Sequence, residues 1–216
     1  MRGIVRTRTA TLATLSIAVL LLSGCGTGTA ESPSQTPTPT GEDTPTSSPS
    51  PTTAEPDLDD PSTWTVTAEG AGPVMIGGDF DATLAELPDT WTGDGAACSW
   101  VAFWNADDAG FSMFFARGTE SDTEPISEIS ASTAADSVDG QVGPVTEEDL
   151  GIGASRDEIL AAHPDAVEGT GSVDGEWIRI PSDGEAQVFF QFLADADAAW
   201  AVTVTTRDEP SYEVCG

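Results

Sequence analysis

Two stretches of this chain repeat one another, which limits the folds open to it more than any other feature. Ile76 to Asp89 reads IGGDFDATLAELPD, and Ile152 to Asp165 reads IGASRDEILAAHPD. A shift of 76 residues superposes Gly77 on Gly153, Asp81 on Asp157, Leu84 on Leu160 and Pro88-Asp89 on Pro164-Asp165. A shift of 77 then pairs Trp100 with Trp177, Val101 with Ile178, Met113 with Phe190 and Phe115 with Phe192. Agreement over consecutive segments points to one small supersecondary unit used twice.

Each copy has the grammar of a short helix followed by strands. Ser155-Arg156-Asp157-Glu158 is a capping box, in which the serine accepts from the first turn and the glutamate reaches back. Asp79 occupies the cap position in the first copy, and both helices must stop before Pro88 and Pro164. Alternating apolar positions predict strands over Cys98 to Trp104, Phe111 to Ala116 and Ile126 to Ser130. The second copy predicts Glu176 to Ile180, Gln187 to Leu193 and Trp200 to Thr206, with turns at Asn105 to Gly110 and Ser182 to Gly184. The expected fold class is α+β: two tandem copies of a short helix and a three- to four-stranded antiparallel meander. The globular region is placed at 63–216, with repeat one over 63–138 and repeat two over 139–216.

Ahead of it the composition changes. From Gly26 to Pro56 the chain is Thr, Ser and Pro, with no aromatic residue and no aliphatic one beyond Ala30 and Ala54. Such a segment buries too little surface to offset its conformational entropy, so 25–62 is expected to be a disordered, solvated tether. Its reach is on the order of 100 Å, and its Ser/Thr residues beside proline are candidates for O-glycosylation. Arg2, Arg6 and Arg8 precede an apolar run from Ala10 to Leu22, which is short for a membrane span. The string Leu22-Ser23-Gly24-Cys25 that follows resembles the lipobox of bacterial lipoproteins. The resemblance implies a signal peptide over 1–24 and a diacylglyceryl group on Cys25. It also implies residence on the extracytoplasmic face of the cell membrane through that anchor. With Cys25 lipidated, Cys98 and Cys215 remain as a pair in an oxidising compartment, and a disulfide is expected.

The chain carries 37 Asp and Glu against 7 basic residues, all of them arginine. Loss of the three arginines in the leader leaves four against 37, a net charge of −33. Nucleic acid and anionic lipid both require basic side chains, so neither is an expected partner. Catalytic chemistry is thinly provided. His163 is the single histidine, and Leu87 stands at its place in the sister copy, which points to packing at a helix end. Without lysine there is no serine–lysine dyad, and zinc finds no His/Cys ligand set. Asp107-Asp108 with Gly110 is a poor calcium loop, because Ala109 and Ala116 occupy ligand positions. Asp195 and Asp197 read as a solvated turn. No cofactor, metal or catalytic residue is assigned, and the chain is not expected to be an enzyme.

Aromatic residues offer more. Alternation places Trp100 and Trp104 on one face of their strand and Trp177 on the corresponding face of the other. With Trp200 they are expected to form an amphipathic platform that engages an envelope protein or ligand. From Gly70 to Gly216 the chain resembles a group of actinobacterial secreted proteins and lipoproteins, through IGGDFDATLAELP and DLGIGASRDEILAAHPDA. The helix-plus-sheet duplication is also similar to the β-lactamase inhibitory protein fold. That similarity implies an alternative function as inhibitor of a secreted hydrolase such as a β-lactamase. The inhibitory fold carries a disulfide in each half, whereas Cys98 has no counterpart near Trp177, so a bridge here would join the halves. An acidic hydrolase with paired carboxylates is a third reading.

Overall fold

The computed structural model describes residues 55–94, 98–105, 109–118, 123–134, 140–171 and 175–215. Cys25, the leader and most of the tether lie outside the described residues, as do Asp107 and Asp108.

A 3-10 turn over Pro61–Thr63, capped by Asp60, leads into three two-residue strands. These are β1 (Val66–Thr67), β2 (Gly70–Ala71) and β3 (Val74–Met75), which form a small antiparallel sheet. Helix α1 (Phe80–Glu86) follows, and then β4 (Trp91–Asp94), β5 (Cys98–Asn105), β6 (Ser112–Arg117) and β7 (Ile126–Ser132). A two-stranded pair, β8 (Val142–Val145) and β9 (Gly151–Ile152), precedes α2 (Arg156–Ala162). The chain then forms β10 (Val167–Thr170), β11 (Glu176–Ile180), β12 (Gln187–Phe192) and β13 (Ala201–Thr205).

The expectation of two tandem helix-and-meander units is corrected by the sheet. Strands from both halves belong to one eight-stranded antiparallel sheet in the order β10-β11-β12-β13-β7-β6-β5-β4. At its centre β13 pairs with β7 from Ala201↔Ser132 to Thr205↔Glu128. Those hydrogen bonds join what would otherwise be two sheet edges, which would template aggregation if left open. Among the described residues the fold is therefore mostly β, with two α-helices of seven residues each.

Helices of that length do not hold together alone in water. Each is started by a cap and held by one buried side chain. The Asp79 carboxylate accepts from the Ala82 amide at 2.8 Å, and Phe80 is buried. In α2 the Ser155 amide donates to Glu158 at 2.9 Å, the Glu158 amide donates to the Ser155 hydroxyl at 3.3 Å, and Ile159 is buried. The repeated glycines before the helices are turn residues. Gly77 and Gly153 have φ of 81° and 94°, in the region that a Cβ disfavours.

Both helices pack on the same face of the sheet. Phe80 and Ile159 share a core with Phe115, Ile129, Phe190 and Val204, one inward residue or more from each central strand. Burying each such side chain contributes about 1.5–3 kcal/mol. Trp64 is 1% exposed and stacks on Trp91 of β4 at 5.8 Å, closing the core beside the first strands. Arg117 ties β6 to α1: its guanidinium lies 4.6 Å from the Phe80 ring centre and 3.5 Å from the Asp81 carboxylate.

Candidate functional site

The four tryptophans expected on one platform occupy three environments. Trp104 is 5% exposed, lies in the main core beneath the helices and packs on Phe111 at 5.1 Å. Trp100 is on the opposite face, against Cys98, Val101 and Ala116. The expectation that Trp100 and Trp104 share a face is therefore corrected, and the reason is a bulge. Gly93 pairs with Ala102 and the next residue, Asp94, pairs with Cys98, so β5 carries three extra residues there. An odd insertion exchanges the faces on which side chains project.

Trp177 and Trp200 do come together. They line a cavity of about 330 Å³ at the start of β11 and the end of β12, near the start of β13. Gln191, Phe192, Leu193 and Ala194 also line it, with Gln191 directly opposite Trp177 and the Phe192 side chain buried in the main core. Trp177 pairs across the strands with Gln191 and meets Phe189 edge-on at 5.4 Å. Its ring lies against Gly169 on β10, where an added Cβ would fall 2.2 Å from the indole. Only glycine permits this approach, so the edge strand is cut to fit the tryptophan. The Trp177 Nε1 is buried and has no hydrogen-bond partner among the described residues. Trp200 is fixed through its backbone, its amide donating to the Gln191 carbonyl at 2.9 Å.

The remaining wall comes from a segment that sequence reasoning did not assign. After β13 the chain turns and lays Glu209, Pro210 and Tyr212 along the cavity, Tyr212 being 67% exposed. Three tethers hold this C-terminal strap to the face away from the helices. Ser211 donates from its amide at 3.2 Å and its hydroxyl at 3.2 Å to the carboxylate of Glu128 on β7. Trp100 donates from Nε1 to the Val214 carbonyl at 2.8 Å. Cys215 is bonded to Cys98 on β5, with Cα atoms 5.5 Å apart. The structure thus gives Trp100 a fixing role on the strap.

Glu128 is 2% exposed and also accepts from the Thr205 hydroxyl at 3.0 Å. Burial holds its carboxyl above the ordinary carboxylate range, while Thr205, Ser211 and the charge of Arg207 pull it back. In ISEIS this glutamate reads as an ordinary solvent-facing position. The available signal was Cys215, since a bond to Cys98 must draw the C-terminus over the sheet.

Charge around the cavity is mainly negative. Glu176 and Glu209 line it, and Asp195 and Asp197 lie in the adjoining loop. Arg156 is engaged by Glu176 at 2.5 Å and lies 4.0 Å from the Phe192 ring centre. Arg179 stands 5.9 Å from the Trp177 ring centre. His163 caps the end of α2, with Nε2 3.6 Å from the Glu148 carboxylate, and the cavity lining does not include it. Among the described residues no group of three or more His, Cys, Asp or Glu is placed to hold a metal ion. Nor is any helix among them long and apolar enough to cross a membrane. Comparison with protein-family models, curated proteins and solved structures finds no significant match to this chain.

Proposed function

We propose that this protein is a non-catalytic binding module of the cell envelope, anchored through Cys25 and engaging an apolar group in the Trp177–Trp200 cavity. The cavity carries the reading: its volume of about 330 Å³ falls within the range of small-ligand sites, and its walls are predominantly aromatic and aliphatic. Rigid aromatic walls gain contact area at little entropic cost. The perturbed buried carboxylate, Glu128, is engaged by Thr205 and Ser211 and serves the strap, which favours binding over acid hydrolysis. The tether and Cys25 supply display at a distance from the membrane.

Nile red, a neutral apolar dye, tests the cavity. Its emission should rise and shift to the blue on the folded chain, and Trp200→Ala or Tyr212→Ala should weaken this by about tenfold. A folded chain that leaves the dye unchanged removes the reading. Anchoring is tested separately: Cys25→Ser should move the protein from the membrane fraction to the medium.

A further inference from the structure

We infer that the cavity selects a neutral apolar ligand carrying one hydrogen-bond donor, received by the side-chain carbonyl of Gln191. The inference rests on the binding role assigned to the cavity above and specifies its ligand class. Gly171, Gly175, Leu193, Ala194 and Pro210 offer such a guest no polar side chain. Glu176 is taken up by Arg156, and Glu209 is already engaged. Tyr212 is largely exposed, so water serves its hydroxyl. Gln191 is different. Its Nε2 donates to the Thr203 hydroxyl at 2.9 Å, and its Oε1 has no partner among the described residues.

A line of hydroxyls on the same sheet face holds that amide. Thr203 of β13 shares a 2.7 Å hydrogen bond with Ser130 of β7, its direct partner in register. Both are buried, at 1% and 4% exposure, where an unpaired hydroxyl would be costly. Gln191 joins the line from β12, so the nitrogen of its carboxamide is committed and the oxygen is what it presents to the cavity. An acceptor at an apolar wall discriminates against a guest that cannot donate to it, because binding strips its hydration without replacement. Charge adds little to this recognition. An anion is repelled by the chain's formal charge of −30, and a cation finds both carboxylates of the lining occupied.

Indole, benzofuran and indene share one shape: indole donates through its N–H, benzofuran only accepts, and indene does neither. Each is titrated against Nile red bound to the intact protein, with loss of dye emission as readout. The probes differ in hydrophobicity, so the test is the change in their affinity ratios on Gln191→Met, which keeps the side-chain length and removes the acceptor. The preference for indole over indene should fall about fivefold, and the ratio of benzofuran to indene should stay constant. Gln191→Leu replaces this variant should it not fold. An indole preference that the substitution leaves intact overturns the donor inference, while Nile red binding keeps the binding role standing. A fall in the benzofuran ratio instead overturns it too, because the amide nitrogen would then face the guest. Failure of Nile red to bind the wild-type chain removes the binding role and this inference with it.

Discussion

Glu128 and Glu158 show how position within one fold gives the same residue type opposite acid–base behaviour. Burial raises the Glu128 carboxyl above its ordinary value of 4.5. The folded state therefore holds that proton more tightly than the unfolded chain does. Stability linked to Glu128 is complete below about 4.5 and is lost as pH rises through the raised folded value. Glu158 is exposed, and its carboxyl is lowered by the Ser155 hydroxyl and then by the Ser155 amide. Its contribution is present above 4.5 and lost as pH falls through the lowered folded value. Glu128→Gln keeps one acceptor oxygen for Ser211 and removes the titration. The melting temperature of the variant should therefore gain on that of the wild type as pH rises from 4 toward 8, measured by scanning calorimetry at fixed ionic strength. A difference independent of pH would show that Glu128 does not titrate out of step with the unfolded chain.

At the scale of elements, the two short helices were legible because caps are local chemistry. Asp79 and Ser155 could be identified from spacing alone, as could the stops at Pro88 and Pro164. Ser155→Ala removes both the acceptor for the Glu158 amide and the donor to its carboxylate. The expected loss is about 1 kcal/mol of stability, read by urea denaturation with an unchanged m-value. Strands were legible for a similar reason, since a period of two marks a half-buried ribbon. The bulge in β5 was not. Nothing in Cys98 to Trp104 signals that three residues have no partners in β4, because a bulge is a property of pairing and not of one strand. That single irregularity sends Trp104 into the core and Trp100 to the strap.

The two halves of the sheet are joined through the β13–β7 pairing and the Cys98–Cys215 bond, whose cysteines are separated by 117 residues in sequence. The bond closes nearly the entire sheet into one loop, and loop closure of this size stabilises by roughly 4 to 5 kcal/mol on the chain-entropy account. Cys98→Ser with Cys215→Ser should lower stability by up to that amount. It should also weaken Nile red binding, because Pro210 and Tyr212 lose one of three tethers. Unchanged binding in a destabilised but folded variant would show that Ser211 and Trp100 alone position the strap. From sequence alone came what neighbours along the chain dictate: caps, turns, strand periodicity, the acidic balance and an apolar-poor composition from Gly26 to Pro56. Tertiary structure decided what depends on contact between distant segments. It placed strands from both halves in one sheet and brought Trp177 and Trp200 to one cavity. It also folded the C-terminus back over Glu128, because edge pairing and face assignment minimise unpaired backbone and exposed apolar surface over the entire chain.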